Sequence, residues 1–264
     1  MPKLNGAWNF RDVADVTGVR SGRFFRSSEL TGLEDDGRDE LQRLGITDVA
    51  DLRSPREVER RGPGRVPDGI AVHLLPFPDL AEDDDDEAPH EHSFTRMLTE
   101  QPGDESVAEA ALRYMTQEYR RFPTLGGARN AVRQVISLLA SGRPVITHCF
   151  AGKDRTGFAV AVVLESLGVG RDAVLADYMR SNDAVPQLRT RILDMVHERA
   201  GSELTPEAVM FAEARLSDEV LGVREEYLTA ARETIDEVYG SLDDYLREAG
   251  VTPADLDKLR TALM

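Results

Sequence analysis

The sequence predicts an α/β fold in which helices flank a central, mostly parallel β-sheet. Strand-like apolar runs alternate with amphipathic segments over the first two thirds of the chain, and this order is typical of parallel sheets. The clearest unit is a predicted strand at residues 143–147, a glycine-containing polar loop and a predicted helix at 158–167. Ligands bind such folds beyond the carboxyl ends of the strands. We therefore expect the binding site at this loop.

The other elements of the sheet region are predicted from periodicity and from turn residues. Strands are expected at residues 22–26, 46–52 and 70–77, and helices at 35–44, 107–122 and 127–140. Gly45 is typical of the position just past a helix end. Pro63-Gly64 and Pro67-Asp68-Gly69 separate the second of these strands from the third.

After residue 168 the chain is predicted to be helical throughout. Helices are expected at residues 206–214, 224–239, 241–249 and 253–263. Thr205, Ser241 and Thr252 suit the N-cap position, and Gly250 suits a helix end. The simplest prediction is that these helices pack on the sheet.

Composition restricts the class of protein. With 264 residues, of which 41% are hydrophobic, the chain can bury a sizeable core, and we expect a single domain over residues 1–264. The formal net charge of −16 disfavours binding to nucleic acid or anionic membranes, although it permits a local basic pocket. No apolar run approaches the roughly 20 residues of a membrane span.

Cysteine and histidine usage predicts neither a disulfide nor a metal site. Cys149 is the only cysteine, which suits a reducing cytoplasm. The five histidines lie far apart, and one cysteine cannot form a thiolate site, so no metal or other cofactor is expected. The first eight residues lack the charged-then-apolar pattern of a secretory signal peptide.

The segment from His148 to Gly157 carries the functional signal. It reads His-Cys-Phe-Ala-Gly-Lys-Asp-Arg-Thr-Gly, with five residues between Cys149 and Arg155. The loop ends at a predicted helix N-terminus, where backbone N–H groups and the helix dipole favour an anion. A phosphate there would lie over a thiol and be held by a guanidinium fork. The predicted chemistry is phosphomonoester hydrolysis through a cysteinyl-phosphate intermediate. The predicted phosphate-binding residues are Phe150, Ala151, Gly152, Lys153, Asp154 and Arg155.

The residue types of this loop suggest individual roles. Cys149 is the predicted nucleophile, because a helix N-terminus and cationic neighbours favour a thiolate. Arg155 is expected to bind two phosphoryl oxygens in the transition state. Thr156 is expected to donate its hydroxyl to the sulfur, or alternatively to cap the helix. His148 is expected to bond to the loop backbone, with core packing as the alternative.

Two glycines of the loop have a predicted structural role. Gly152 and Gly157 permit backbone conformations and close approaches that a Cβ atom would obstruct.

Two aspartates are candidates for the general acid. An ionised Asp154 beside a phosphate dianion would be repelled, which favours its protonated form, and that form can protonate a leaving phenolate. A simple interaction with the helix dipole is the alternative for Asp154. Asp79, on a loop after a predicted strand, is the rival acid. We favour Asp154.

The loop matches the His-Cys-x5-Arg-Ser/Thr pattern of the cysteine-dependent protein tyrosine phosphatases. The version from Gly152 to Gly157 more narrowly resembles the atypical bacterial tyrosine phosphatases, a family with mycobacterial members. Four further segments are similar to the same family: Asn9-Phe10-Arg11-Asp12-Val13, Phe25-Arg26-Ser27-Ser28-Glu29-Leu30, Asp51-Leu52-Arg53-Ser54 and Asp177-Tyr178-Met179-Arg180-Ser181-Asn182. The resemblance therefore covers almost the whole chain.

The resemblance implies a cysteine-phosphatase-like fold with a C-terminal helical lid. Two helices within about residues 203–239 would cover the catalytic mouth, and the apolar residues Leu216, Val220 and Leu221 would suit a hinge or a pocket-facing tip. Phosphorylated proteins are the implied partners, with phosphotyrosine as the main substrate. Phosphoserine, phosphothreonine and phosphoinositides are further implied substrates, and the extra cation of Lys153 fits highly charged ones. Mycobacterial relatives are regarded as exported without a signal peptide, so a cytoplasmic and an exported location both stay open.

Further site residues follow from the resemblance. Phe77-Pro78-Asp79 is similar to the Trp-Pro-Asp element that supplies the acid in ordinary tyrosine phosphatases, although tryptophan is missing. His90 and Phe94 match positions near the family's substrate pocket. Arg53 is expected at the same mouth, with a helix-capping or ion-pair role as the alternative.

Two other classes of protein compete with this prediction. Rhodanese-like sulfurtransferases also use a cysteine in an anion-binding loop, but typically with four residues before the arginine, whereas five are present here. A non-catalytic phosphate-binding module is the third hypothesis. The presence of both Cys149 and Arg155 argues against it.

Overall fold

The structure is a computed structural model that describes residues 3–77, 106–199, 210 and 216–264. This part of the chain contains a five-stranded sheet of order β1-β2-β5-β3-β4. The strands are β1 (Arg11–Asp12), β2 (Phe24–Ser27), β3 (Asp48–Asp51), β4 (Ala71–Leu74) and β5 (Val145–His148). Strand β1 is antiparallel to β2, and all other pairs are parallel. The predicted α/β class with a mostly parallel sheet is confirmed.

Strand β5 lies in the centre of the sheet, and its carboxyl end positions the site. His148 is level with Ser27 of β2 on one side and with Asp51 of β3 on the other. Because these strands are parallel, the segments that follow them leave the same edge of the sheet. Residues 28–30, 52–54 and 149–154 therefore lie close together.

Helices surround the sheet on both faces. They are α1 (Ala14–Thr17), α2 (Asp35–Arg43), α3 (Pro55–Arg61), α4 (Val107–Arg121), α5 (Gly126–Ala140), α6 (Arg155–Ser166), α7 (Arg171–Met179), α8 (Val185–Arg199), α9 (Asp218–Leu221), α10 (Glu225–Tyr239), α11 (Leu242–Glu248) and α12 (Pro253–Leu263). Two 3₁₀ turns, Phe122–Thr124 and Arg180–Ala184, join neighbouring helices. Among the described helices, none has the length and apolar character that crossing a membrane requires.

The two faces of the sheet bury different cores, as the two-residue period of a strand requires. Phe24 and Val145 point into the larger core, which includes side chains of α4, α5, α6 and α10. Phe25 and Ile146 point into a smaller core beside α2. The central strands are therefore covered on both sides, and their apolar sequence follows from that burial.

Most predicted elements are present. The structure adds β1, α1 and α3, which were not predicted, and elsewhere the differences concern boundaries. Ser241 accepts a bond from the Asp244 N–H, and Thr252 forms a capping box with Asp255, so both predicted N-caps are confirmed. Thr205 and the predicted helix at 206–214 fall outside the described residues. Helix α6 begins at Arg155, three residues before the predicted start at residue 158. Its first turn contains a glycine, which is why the sequence indicated a longer loop.

The described part of the expected lid packs against the body of the protein. Helix α10 lies beside α4, and its Tyr227, Ala231 and Ile235 belong to the larger core. Leu216 and Leu221 are buried in a third cluster that includes Ala151 of the catalytic loop. Residues 203–209 and 211–215 are outside the described residues. A lid over the mouth therefore stays a prediction for that segment.

A buried ion triad joins the antiparallel edge of the sheet to helix α7. Asp177 accepts from Arg11 Nε at 2.7 Å and from Arg26 Nη1 at 2.6 Å, and all three side chains are almost fully buried. Burial on its own would raise the pKa of Asp177, but Arg26 and Arg11 outweigh it and lower that pKa. Burial, together with Arg26, lowers the pKa of Arg11 to about 10. Asp177 and Arg11 therefore stay charged near neutral pH.

We predict that Asp177→Asn lowers the free energy of unfolding by about 3–5 kcal/mol, because two buried arginines lose their counter-charge. Urea denaturation measures this loss. Glu237→Gln, the same change at an exposed site of α10, should stay within about 0.5 kcal/mol of the parent. A carboxylate with a lowered pKa stabilises the protein above its unfolded-state pKa and loses that contribution as pH falls. The difference between parent and Asp177→Asn should therefore narrow on acidification, and a constant difference would contradict the assignment.

Candidate active site

The catalytic loop leaves the end of β5 and enters helix α6 within six residues, 149–154. Gly152 has a φ of +66°, and a Cβ atom there would lie 2.0 Å from the backbone oxygen of Ser27. At Gly157 a Cβ atom would lie 2.8 Å from the Tyr178 ring. The predicted requirement for glycine at both positions is therefore met. The loop lies directly against β2, and the start of α6 lies directly against α7.

Carbonyl groups of the loop are held from outside by residues of other segments. Asn9 Nδ2 donates to the oxygens of Ala151 and Gly152, at 3.0 Å each. Arg26 Nη2 donates to Gly152 O at 2.7 Å, and the Glu29 N–H donates to Phe150 O at 2.9 Å. In a trans peptide the N–H points opposite to the C=O. The N–H groups of residues 151–153 are therefore turned away from these donors, toward the inside of the loop.

Arg155 is oriented by a buried carboxylate of helix α3. Glu57 accepts from Arg155 Nη1 at 2.6 Å and from Nη2 at 2.8 Å, a side-by-side pair that fixes the guanidinium plane. Glu57 is buried, and it also accepts from the Ser54 N–H in the capping box that starts α3. Neither α3 nor Glu57 was predicted. The signal for the helix was present, since Ser54-Pro-Arg-Glu57 has the capping-box spacing with proline at the first helical position, but no sequence pattern pairs Glu57 with Arg155.

His148 and Asp51 form a buried layer beneath the loop. His148 Nδ1 is 3.1 Å from Cys149 O, so the nitrogen donates to the carbonyl, as predicted. Burial is the main cause that lowers the pKa of His148, although Asp51, with Oδ1 at 3.7 Å, opposes it. The imidazole is therefore neutral near pH 7. It supports the loop backbone.

Arg53 lies in the same buried layer. Its guanidinium is fully buried, donates to both carboxylate oxygens of Asp51 and reaches Glu29 Oε2 at 3.2 Å. The ion-pair alternative describes these contacts. A place for Arg53 at the substrate mouth stays a prediction.

Asp154 is the N-cap residue of α6, but its side chain makes no capping hydrogen bond. One oxygen, Oδ1, accepts from the Tyr119 hydroxyl at 3.1 Å. The other, Oδ2, is 3.3 Å from Lys153 Nζ. Tyr119 in turn accepts from the Tyr178 hydroxyl at 2.7 Å. The carboxyl group is thus held by α4 and by its own loop.

The other side chains in and next to the loop differ in their burial and in their contacts. Cys149 is almost fully buried at the base of the loop. The Thr156 hydroxyl is buried and has no hydrogen-bond partner among the described residues, so the capping alternative is not observed. Phe150 is partly exposed, with its ring edge-on to Trp8 and the Arg61 guanidinium 3.9 Å above it.

Three residues of the expected site, Asp79, His90 and Phe94, lie outside the described residues. Phe77, which begins the Phe77-Pro78-Asp79 element, is described and buried. Its ring is edge-on to Phe122 and to Phe158 of α6, with centroid distances of 5.5 and 6.1 Å. The chain therefore enters this element from the core next to the catalytic helix. The acid role of Asp79 stays a prediction.

Comparison with known proteins agrees with this geometry. A model of the tyrosine phosphatase family matches residues 2–264. The chain is 64% identical to the triple specificity protein phosphatase PtpB of Mycobacterium tuberculosis, over 99% of this chain and 98% of that protein. It is 32% identical to a Cupriavidus necator protein provisionally named a tyrosine-protein phosphatase, over 91% and 81% of the two chains.

These similarities decide between the classes of protein that the sequence left open. The match extends over the whole loop, the sheet and the C-terminal helices, so it does not depend on the cysteine motif alone. It excludes the rhodanese-like and the non-catalytic alternatives. The chain belongs to the tyrosine phosphatase family and is a cysteine-dependent protein-tyrosine phosphatase.

Proposed function

We propose that the enzyme hydrolyses phosphotyrosine and, beyond it, phosphoserine, phosphothreonine and phosphoinositides, with Cys149 as nucleophile. One observation carries the proposal. Donors from other segments hold the loop carbonyls, so the loop amides turn toward the inside of the loop that starts at Cys149, and Glu57 fixes the plane of the Arg155 guanidinium where α6 begins. Such a preorganised set of donors binds a phosphoryl dianion and its transition state.

In the first step the Cys149 thiolate attacks phosphorus. The S–P bond forms as the P–O bond to the leaving phenol breaks, and Asp154 transfers its proton to the phenolate oxygen. Arg155 and the loop amides hold the three non-bridging oxygens. The phosphoryl group is then attached to the sulfur, and Asp154 is ionised.

In the second step water attacks the phosphocysteine. The Asp154 carboxylate takes a proton from the water, the S–P bond breaks and the thiolate leaves with both electrons. The partnerless hydroxyl of Thr156 is proposed to donate to this sulfur. Inorganic phosphate then departs and the enzyme returns to its starting protonation state.

The substrate range is inferred from Lys153 and from the relative. Lys153 is mostly buried, and its ammonium is next to the phosphate-binding loop, where it can neutralise a second anionic group. The M. tuberculosis relative is named for triple specificity. We also propose that the segment of about residues 203–239 contributes a lid over the mouth, since Leu216 and Leu221 pack together with Ala151 of the loop. Either a reducing cytoplasm or export to a host fits the single catalytic thiol.

The substrate range is tested with phosphotyrosine peptides, phosphoserine peptides and phosphoinositides, assayed side by side without added metal. We expect release of phosphate from all three classes, fastest from phosphotyrosine. Cys149→Ser should abolish release in every class, because an alcohol at this position is not ionised. Turnover by Cys149→Ser at the parental rate would refute the covalent mechanism. Release from phosphotyrosine alone would narrow the proposed range.

The two candidate acids are separated by their leaving-group dependence. Asp154→Asn should slow hydrolysis of phenyl phosphate by about 10²-fold or more, because phenolate needs a proton. It should slow dinitrophenyl phosphate far less, because that phenolate leaves unprotonated. Asp79→Asn should affect both substrates equally. The reverse pattern would transfer the acid role to Asp79.

Glu57→Gln should lower kcat by about 10²-fold, because the amide cannot accept from both Arg155 nitrogens and the fork loses its fixed plane. Glutamine also suits a capping box, so α3 is expected to remain. Glu59→Gln, an exposed change on the same helix, is the matched control. Equal kcat values for the two variants would show that Arg155 needs no orienting carboxylate.

A further inference from the structure

We propose that Tyr119 is a positioning residue for the acid: its hydroxyl, held by Tyr178, fixes the Asp154 carboxyl so that one oxygen accepts and the other carries the proton. The inference rests on the proposed role of Asp154. It adds two residues, on α4 and α7, that lie outside the sequence motif. Tyr119 contacts the loop through Asp154, and Tyr178 contacts Tyr119.

The direction of the hydroxyl chain follows from the number of protons. A phenol has one O–H, so a hydroxyl that accepts from Tyr178 has its own hydrogen available for Asp154 Oδ1. Burial, with Asp154 contributing, raises the pKa of both tyrosines well above 10. Both therefore stay protonated, and Tyr119 donates throughout the reaction.

Packing fixes both rings. Tyr119 and Tyr178 are fully buried. The Tyr119 ring contacts Phe122 and Tyr227, with centroids at 4.9 and 5.4 Å. The Tyr178 ring occupies the space that Gly157 leaves open at the start of the catalytic helix. The hydroxyls can therefore change position only if the core moves.

The hydrogen bond assigns the two oxygens of Asp154 different roles. With Oδ1 accepting from Tyr119, the transferable proton belongs on Oδ2, the oxygen beside Lys153. When that proton passes to the leaving oxygen, a negative charge appears on the carboxylate. The hydrogen bond from the Tyr119 hydroxyl stabilises this charge. In the second step the same oxygen, Oδ2, recovers a proton from water, so the cycle balances.

Among the described residues, four titratable groups interact with Asp154. They are Lys153 on its own loop, Tyr119 on α4, Tyr178 on α7 and Tyr227 on α10. Burial foremost, with a contribution from Asp154 and against Arg224, raises the pKa of Tyr227 to about 12. The three tyrosines are therefore uncharged near pH 7. A phenylalanine at position 119 therefore removes a donor without changing the local charge.

Tyr119→Phe tests the proposal through leaving-group dependence. We expect kcat for phenyl phosphate to fall about tenfold, and kcat for dinitrophenyl phosphate to change less than about twofold, with KM unchanged. A merely structural role would slow both substrates alike, because both need the same cradle.

Tyr245→Phe is the matched control. Tyr245 is a fully buried tyrosine whose hydroxyl has no partner among the described residues, and its ring packs on Phe158 of the same catalytic helix. Deleting its oxygen should leave the leaving-group dependence unchanged. Tyr178→Phe, which keeps the Tyr119 hydroxyl, should change the leaving-group dependence in the same direction as Tyr119→Phe, but less. It provides a second test if Tyr119→Phe folds poorly.

A double variant distinguishes this inference from the acid assignment. In the Asp154→Asn background, Tyr119→Phe should have no additional leaving-group effect, because the acid is already absent. If Asp154→Asn is selective for the poor leaving group while Tyr119→Phe behaves like Tyr245→Phe, the positioning role is wrong and the acid assignment stands. If Asp154→Asn itself is not selective, the acid assignment fails and the positioning role fails with it.

Discussion

A short loop can present its backbone N–H groups to an anion only if its carbonyl groups are occupied elsewhere. In this phosphatase, Asn9 from one segment and Arg26 and the Glu29 N–H from another occupy them. Arg26 is itself held by Asp177, a residue far along the chain. The geometry of the cradle therefore depends on an ion triad that no substrate touches. This dependence explains why segments distant in sequence share in one site.

Sequence patterns could predict the sheet, the loop and the reacting residues because those features are local. The cysteine-to-arginine spacing indicates the cradle, and alternation of strands and helices indicates where it lies. Glu57, Tyr119 and Asn9 could not be assigned in this way, since their roles come from side-chain contacts made across the fold. The ion pairs of Arg53 with Asp51 and Glu29 arise in the same way. A motif indicates which residues are polar. Which buried charges form pairs depends on the elements that the fold brings into contact.

Two consecutive residues of helix α7 support the site in different ways. Asp177 holds the arginine that binds a loop carbonyl, and Tyr178 begins the hydroxyl chain to Asp154. One helix therefore sets both the shape of the anion cradle and the orientation of the proposed acid. A small displacement of α7 would change both together, because the core around it is close-packed.

The enzyme carries a strong negative net charge, yet it binds a dianion. Long-range attraction cannot be the cause, since the field of the whole protein opposes the approach of phosphate. Arg155 is paired with Glu57, and Arg26 with Asp177, so these pairs bring little net positive charge to the site. The attraction must come from short-range interactions with the aligned amides, the N-terminus of α6 and the Lys153 ammonium. Such forces act only once the phosphate is inside the loop. They therefore select a ligand whose shape matches the loop, and negative charge alone is not sufficient.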